Sequence, residues 1–131
     1  MIPTVEEICS KKIITTEINS TIDKAIKKMT HADVRSILID DTKERNYYIL
    51  TVDDAIEFKL QNISLDQKLS EVKLKKIQTV DAKANVLELI KSYETLSEYV
   101  LVLRENKICG ILSQTDIINN TDPKILIERQ S

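Results

Sequence analysis

Apolar residues in this chain fall at helical spacing in some stretches and in short unbroken blocks in others. Ile22, Ala25, Ile26 and Met29 follow the i, i+3, i+4, i+7 pattern and predict a helix. Ser20 with Asp23 gives it a capping pair, and it should fade near His31. Ser36-Ile37-Leu38-Ile39 reads as a buried strand, and Tyr47 to Leu50 as the next, separated by a polar turn. Thr51 then opens a second helix to about Leu60. Ahead of these, Thr4 to Cys9 predicts a short helix with Val5 and Ile8 on one face, and Ile13-Ile14-Thr15 a short strand.

The pattern then returns. Ile77 to Val80 matches the strand at Ile13 to Thr16, and Val86, Leu89 and Ile90 match Ile22, Ala25 and Ile26, at 86 − 22 = 64. Val100 to Leu103 matches Ser36 to Ile39. Gly110-Ile111-Leu112-Ser113-Gln114-Thr115-Asp116 matches Tyr48-Ile49-Leu50-Thr51-Val52-Asp53-Asp54, at 116 − 54 = 62. In both, a β-type run ends at a hydroxyl residue and an acid follows three positions later. That spacing lets the hydroxyl cap a helix while the acid complements its positive end. Each half therefore reads strand, helix, strand, strand, helix. The reading divides the chain into 1–65 and 66–131. A half of about 60 residues buries too little apolar surface to be comfortable alone, so the halves should pack sheet to sheet as an α+β protein with pseudo-two-fold symmetry. The tail, 122–127, is apolar enough to dock as a last short element.

Composition narrows the classes. The 131 residues are 42% hydrophobic and 31% charged, which is ordinary for a globular chain and argues against disorder. Aromatics are only 4% and there is one Gly, so the core must be aliphatic and few turns should demand positive φ. A net charge of −2 gives no global pull toward nucleic acid or an anionic surface, so nucleic acid is not an expected partner. No apolar stretch reaches the roughly 20 residues of a membrane helix. The N-terminus has no secretory pattern, so a cytoplasmic protein with two reduced thiols, Cys9 and Cys109, is expected, with a Cys9–Cys109 disulfide as the less favoured alternative. Cys109 lies in an apolar strand and reads as buried and inert. No nucleophile–base set or metal-ligand spacing is present, so neither an enzyme nor a metal site is predicted.

The two corners have a purely structural explanation as capping boxes with Asp in place of Glu. Thr15 and Thr79 fit as simple strand residues. Lys11-Lys12 and Lys75-Lys76 occupy equivalent places before the first strands, as solvated surface or as phosphate-neutralising groups. Arg35 is a further phosphate candidate.

The repeated β-α-β-β-α order, Thr15 and Thr79, and Gly-Ile-Leu-Ser-x-x-Asp at 110–116 resemble a tandem pair of cystathionine β-synthase (CBS) domains, a Bateman module, over about Val5 to Asn120. The resemblance implies binding of an adenosine compound (AMP, ADP, ATP or S-adenosylmethionine) in the cleft between the halves, none of them covalently attached. It carries the ribose-accepting role to Asp54 and Asp116 and the phosphate-side role to Thr51 and Ser113. Thr15 and Thr79 would line the base or ribose, and Ile14, Ile49, Ile77 and Ile111 would sandwich the adenine. Gly110 would let a ligand approach the backbone, where Tyr48 in the first half would obstruct it or stack. The resemblance further implies a homodimer and a regulated protein partner. A second expectation, from a different class, is a dimeric scaffold with a vestigial cleft.

Overall fold

The structure, a computed structural model, describes residues 2–121. In chain order its elements are α1 (Val5–Ile8), β1 (Thr15–Glu17), α2 (Ile22–Ala32), β2 (Ser36–Asp41), β3 (Asn46–Thr51) and α3 (Val52–Leu60). They continue as β4 (Lys75–Lys76), β5 (Gln78–Asp81), α4 (Val86–Lys91), β6 (Tyr99–Arg104), β7 (Lys107–Ser113) and α5 (Gln114–Asn120). The tail at 122–127 lies outside the described residues.

This is the expected α+β protein, with the strand, helix, strand, strand, helix order used twice. It forms two compact units. One is the continuous segment Ile13–Lys76; the other joins the residues up to Lys12 to those from Ile77 onward. The first unit holds a four-stranded sheet in the order β1-β2-β3-β4, the second a three-stranded sheet in the order β5-β6-β7. In each, the first strand pairs parallel to the middle one and the middle pairs antiparallel to the third. β1 starts two residues later than its apolar block suggests, and β5 one residue later. Ladder pairing begins at Thr15 opposite Leu38, and Ile14 contributes only its carbonyl, to the Leu38 amide.

The cores are aliphatic, as few rings require. In the first unit Ile22, Ala25 and Met29 of α2 pack on Ile37, Ile39 and Leu50 of the sheet, with Phe58 and Leu69 closing the far side. In the second, Val86, Leu89 and Ile90 of α4 pack on Val100, Val102 and Leu112, with Val5 and Ile117.

The division between the units differs from a cut at 65/66. The N-terminal segment belongs with the second repeat, and the segment after Leu65 largely with the first. Backbone hydrogen bonds give the reason. Val5 donates to Ala84 O and Val86 to Pro3 O, while Leu69 donates to Ser20 O and Ile22 to Gln67 O. Each residue of the first set stands 64 positions from its counterpart in the second, as 69 − 5, 84 − 20, 86 − 22 and 67 − 3 show. The segments 3–10 and 67–74 are thus equivalent leaders. Each precedes one repeat in sequence and docks on the other. Val5 and Leu69, the equivalent apolar anchors, are both 0% exposed.

Two local expectations are corrected. The cap of α2 is Thr21, whose hydroxyl accepts from the Lys24 amide at 3.1 Å. Ser20 is instead held in the turn before it, its amide on Glu17 O and its carbonyl receiving Leu69 N. The single glycine also does not mean few left-handed turns: Asp33, Arg45, Asn62, Glu105 and Asn106 all take positive φ. Glu105 and Asn106 form the two-residue turn between β6 and β7, where consecutive left-handed residues match the strand twist.

Candidate functional site: two strand-to-helix corners

The sequence devices at 51–54 and 113–116 are both formed. At the first corner, the Thr51 hydroxyl accepts from the Asp54 amide at 3.1 Å, and Asp54 Oδ2 accepts from the Thr51 amide at 2.9 Å and from its hydroxyl at 3.0 Å. At the second, the Ser113 hydroxyl accepts from the Asp116 amide at 3.1 Å, and Asp116 Oδ2 accepts from the Ser113 amide at 2.9 Å. Both pairs are reciprocal capping boxes, and the acid plays the part usually given to Glu.

The corners differ in what the remaining carboxylate oxygen does. Asp54 Oδ1 lies 3.2 Å from Lys75 Nζ, an ion pair supplied by β4. Asp116 Oδ1 has no partner among the described residues. Lys11, which stands where the first unit has Lys75, turns elsewhere: its ammonium reaches Glu6 O at 3.0 Å and the sulfurs of Cys9 and Cys109, each at 3.5 Å. The second corner therefore presents an uncommitted acceptor, and the first a neutralised one.

Gly110 has a structural task of its own. A Cβ built there would lie 2.4 Å from Cys9 Sγ and 2.7 Å from Ser10 O, both in the leader. Ser10 and Ile111 bridge through two 2.9 Å hydrogen bonds, which bring the leader this close. The missing side chain is thus occupied by Cys9. Tyr48, at the matching place, faces Lys76 of β4 and packs against the first core.

Of the other expected residues, Thr15 and Thr79 are exposed on β1 and β5. Ile49 and Ile77 are buried, and Ile14 and Ile111 are half-buried. Thr16, beside Thr15, is 3% exposed and its hydroxyl has no hydrogen-bond partner. Cys109 is half-buried rather than inert in a core; Cys9 is the buried thiol. Burial raises the Cys9 pKa, against the opposing pull of the Lys11 ammonium.

A cavity of about 440 Å³ in the first unit was not legible in the sequence. It is bounded by β3, α3 and the segment from Ile63 to Lys75. Ile49, Phe58, Val72 and Leu74 supply apolar lining, and Asp54 and Lys75 stand on it as an ion pair. Its walls come from segments that meet through long-range contacts, among them the pairing of β4 against β3. Among the described residues no group of His, Cys, Asp and Glu is placed to hold a metal, and no helix is long and apolar enough to cross a membrane.

Comparison with known proteins adds the family. The model described as "CBS domain" matches twice, at residues 5–60 and 69–121. No curated protein matches significantly in sequence. Among solved structures, a conserved CBS domain protein of unknown function from Thermoplasma acidophilum is similar with a TM-score of 0.73 and 21% identity. That match covers 99% of this chain and 75% of the other. A CBS domain protein from Pyrobaculum aerophilum, complexed with AMP, has a TM-score of 0.74 and 16% identity over 98% of both chains. A hexameric CBS-CP12 protein from bloom-forming cyanobacteria has a TM-score of 0.75 and 20% identity, over 93% of this chain and 70% of that one. At such identities the likeness establishes the fold.

Proposed function

Because this chain belongs to the CBS-domain family and carries two copies of the unit, we propose that it is a regulatory ligand-sensing module for an adenine nucleotide or related adenosine compound. The observation that carries this reading is the pair of Ser/Thr-x-x-Asp corners, above all Asp116 Oδ1, which has no partner among the described residues. A carboxylate fixed by its own helix cap on one oxygen, with the other free, is set to accept from two vicinal ribose hydroxyls. Backbone order fixes its position in advance, so little entropy is lost on binding. AMP in the Pyrobaculum relative supports an adenosine ligand. The first corner has a different resource. Its cavity falls in the volume range of small-molecule sites. Lys75, with a side chain 75% exposed, can leave Asp54 for a phosphate and free the carboxylate for a ribose.

The module acts by differential affinity. Ligand binds one arrangement of the chain or its assembly better than another, and a partner protein reads the shift. No catalytic step is part of this reading. Homodimerisation is proposed through the exposed apolar residues Ile56 and Leu60 of α3 and Ile118 of α5. Ile56 and Ile118 occupy equivalent positions, at 118 − 56 = 62.

A second reading rests on a specific observation. Every polar atom of the Asp54 carboxylate already has a partner, so the first corner is complete without ligand. A dimeric scaffold would need no more. A thermal-shift panel with AMP, ADP, ATP, S-adenosylmethionine and GTP, with and without Mg²⁺, separates the two. A ligand at 100 times its dissociation constant stabilises by about 2.7 kcal/mol, a rise of several degrees. A selective rise with an adenosine compound, lost in Asp116→Ala or Asp54→Ala, supports sensing and names the corner. No rise at millimolar concentration sinks it in favour of the scaffold.

A further inference from the structure

We propose that Cys9 and Cys109 form an oxidisable dithiol site, in which a peroxide joins them in one disulfide between the N-terminal leader and β7. The two residues are 100 positions apart, yet one side chain touches both: Lys11 Nζ is 3.5 Å from each sulfur. The sulfurs are therefore separated by no more than twice that distance. Cys9 Sγ sits directly over Gly110, the residue after Cys109, in space that any other amino acid would fill. Cys109 stands at the irregularity of the β6–β7 ladder. Gly110 pairs with Val102 and Ile108 with Leu103, leaving Cys109 opposite nothing. A bulged residue can turn its side chain without breaking ladder hydrogen bonds.

One cation is set against both sulfurs. The Lys11 ammonium is held by Glu6 O at 3.0 Å, aimed at both sulfurs, and a cation beside a thiol favours its reactive, charged form. The Glu6 carboxylate stands beside the Cys109 thiol, and the Arg104 guanidinium that pairs with it compensates its negative charge.

The chemistry balances. The half-buried Cys109 thiolate attacks one peroxide oxygen; the O–O bond breaks, and the second oxygen leaves as hydroxide, protonated to water. The resulting sulfenic acid is attacked by the buried Cys9 sulfur. The S–O bond breaks, the S–S bond forms, and a second water departs with the Cys9 proton. The sulfur pair loses two electrons, which the peroxide gains. The Lys11 ammonium is displaced as the bond closes.

The test uses the full chain, reduced and then treated with one equivalent of hydrogen peroxide under native conditions. The expected product is a monomeric chain lighter by two hydrogens, with a Cys9–Cys109 peptide on mapping and full recovery with dithiothreitol. In Cys9→Ser the sulfenic acid on Cys109 persists and is trapped by dimedone. Lys11→Met slows closure several-fold, because the ammonium set against both sulfurs is gone. Disulfides formed only between chains, sulfinic acid at either residue without cross-linking, or equal rates in Lys11→Met and the parent would overturn the proposal.

Discussion

The two repeats are the same device in different states of completion. In the first, the corner acid is neutralised by Lys75, a Tyr fills the strand position, and the two residues after the leader form a strand, β4. In the second, the corner acid keeps a free oxygen, a Gly takes the strand position, and the leader supplies a single bridge at Ser10. The differences are linked. Gly110 admits Cys9, Cys9 and Cys109 hold Lys11, and Lys11 is thereby not available to Asp116.

Substitutions that make one repeat resemble the other test this account, and the leaders come first. Leu69→Ala empties a fully buried site and should cost about 3 kcal/mol, seen as a lower denaturation midpoint. Val5→Ala, at the equivalent site, should cost about 2 kcal/mol. A loss below about 1 kcal/mol in both would mean that the leaders are not anchors. Next, Gly110→Ala places a methyl against Cys9 and Ser10 O and should destabilise by about 2 kcal/mol. Adding Cys9→Ala should restore part of that, because the two changes share one contact; strictly additive losses would argue against it.

Thr16 supplies a change in the opposite direction. Its counterpart at 80 − 16 = 64 is Val80. The Thr16 hydroxyl is buried without a partner, so Thr16→Val should stabilise by about 1 kcal/mol and raise the melting temperature. A lower melting temperature would show that the hydroxyl is paired in solution. Lys75→Met should cost less than about 1 kcal/mol, as expected of an exposed partner, while leaving Asp54 as free as Asp116. If the acid's freedom decides affinity, adenosine binding at the first corner should then tighten; loss of binding would instead assign Lys75 to the phosphate.

The smallest effect is pH-linked. On the first sheet Glu17 pairs with Asp40 next to Asp41, where the second sheet has Asp81, Leu103 and Arg104. Partial burial raises the Asp40 pKa, and the neighbouring Asp41 and Glu17 charges add to it. A carboxyl that binds its proton more tightly when folded disfavours the folded state above its folded pKa. That penalty is relieved as pH falls from the folded pKa toward the unfolded value of 3.8. Asp40→Asn should therefore raise the melting temperature slightly at pH 7, with the gain shrinking to nothing below pH 3.8. A gain that persists in acid would trace to another cause.

Local periodicity made the element order and both corners readable, because capping boxes and apolar stripes are set within four residues. The leaders were not readable as such. Val5 and Ile8 announce a helix but carry no mark of which sheet they meet, and Lys75-Lys76 look like surface until β3 is placed beside them. The same holds for the Lys11 cluster, whose members are joined only by the bridge at Ser10 and Ile111. Gly110 was legible as a close approach. What approaches it was not, because the answer lies 100 residues upstream.

The crossed docking of the leaders has an evolutionary consequence. The unit that repeats in sequence, about 64 residues beginning near Pro3, is out of phase with the unit that packs, which begins near Ile13. An ancestral chain with one leader and one repeat could satisfy its anchor by folding back or by exchanging leaders with a second copy. Gene fusion of such an exchanged pair yields the present connectivity without any new contact. Within one chain such docking is intramolecular, so its strength does not depend on protein concentration.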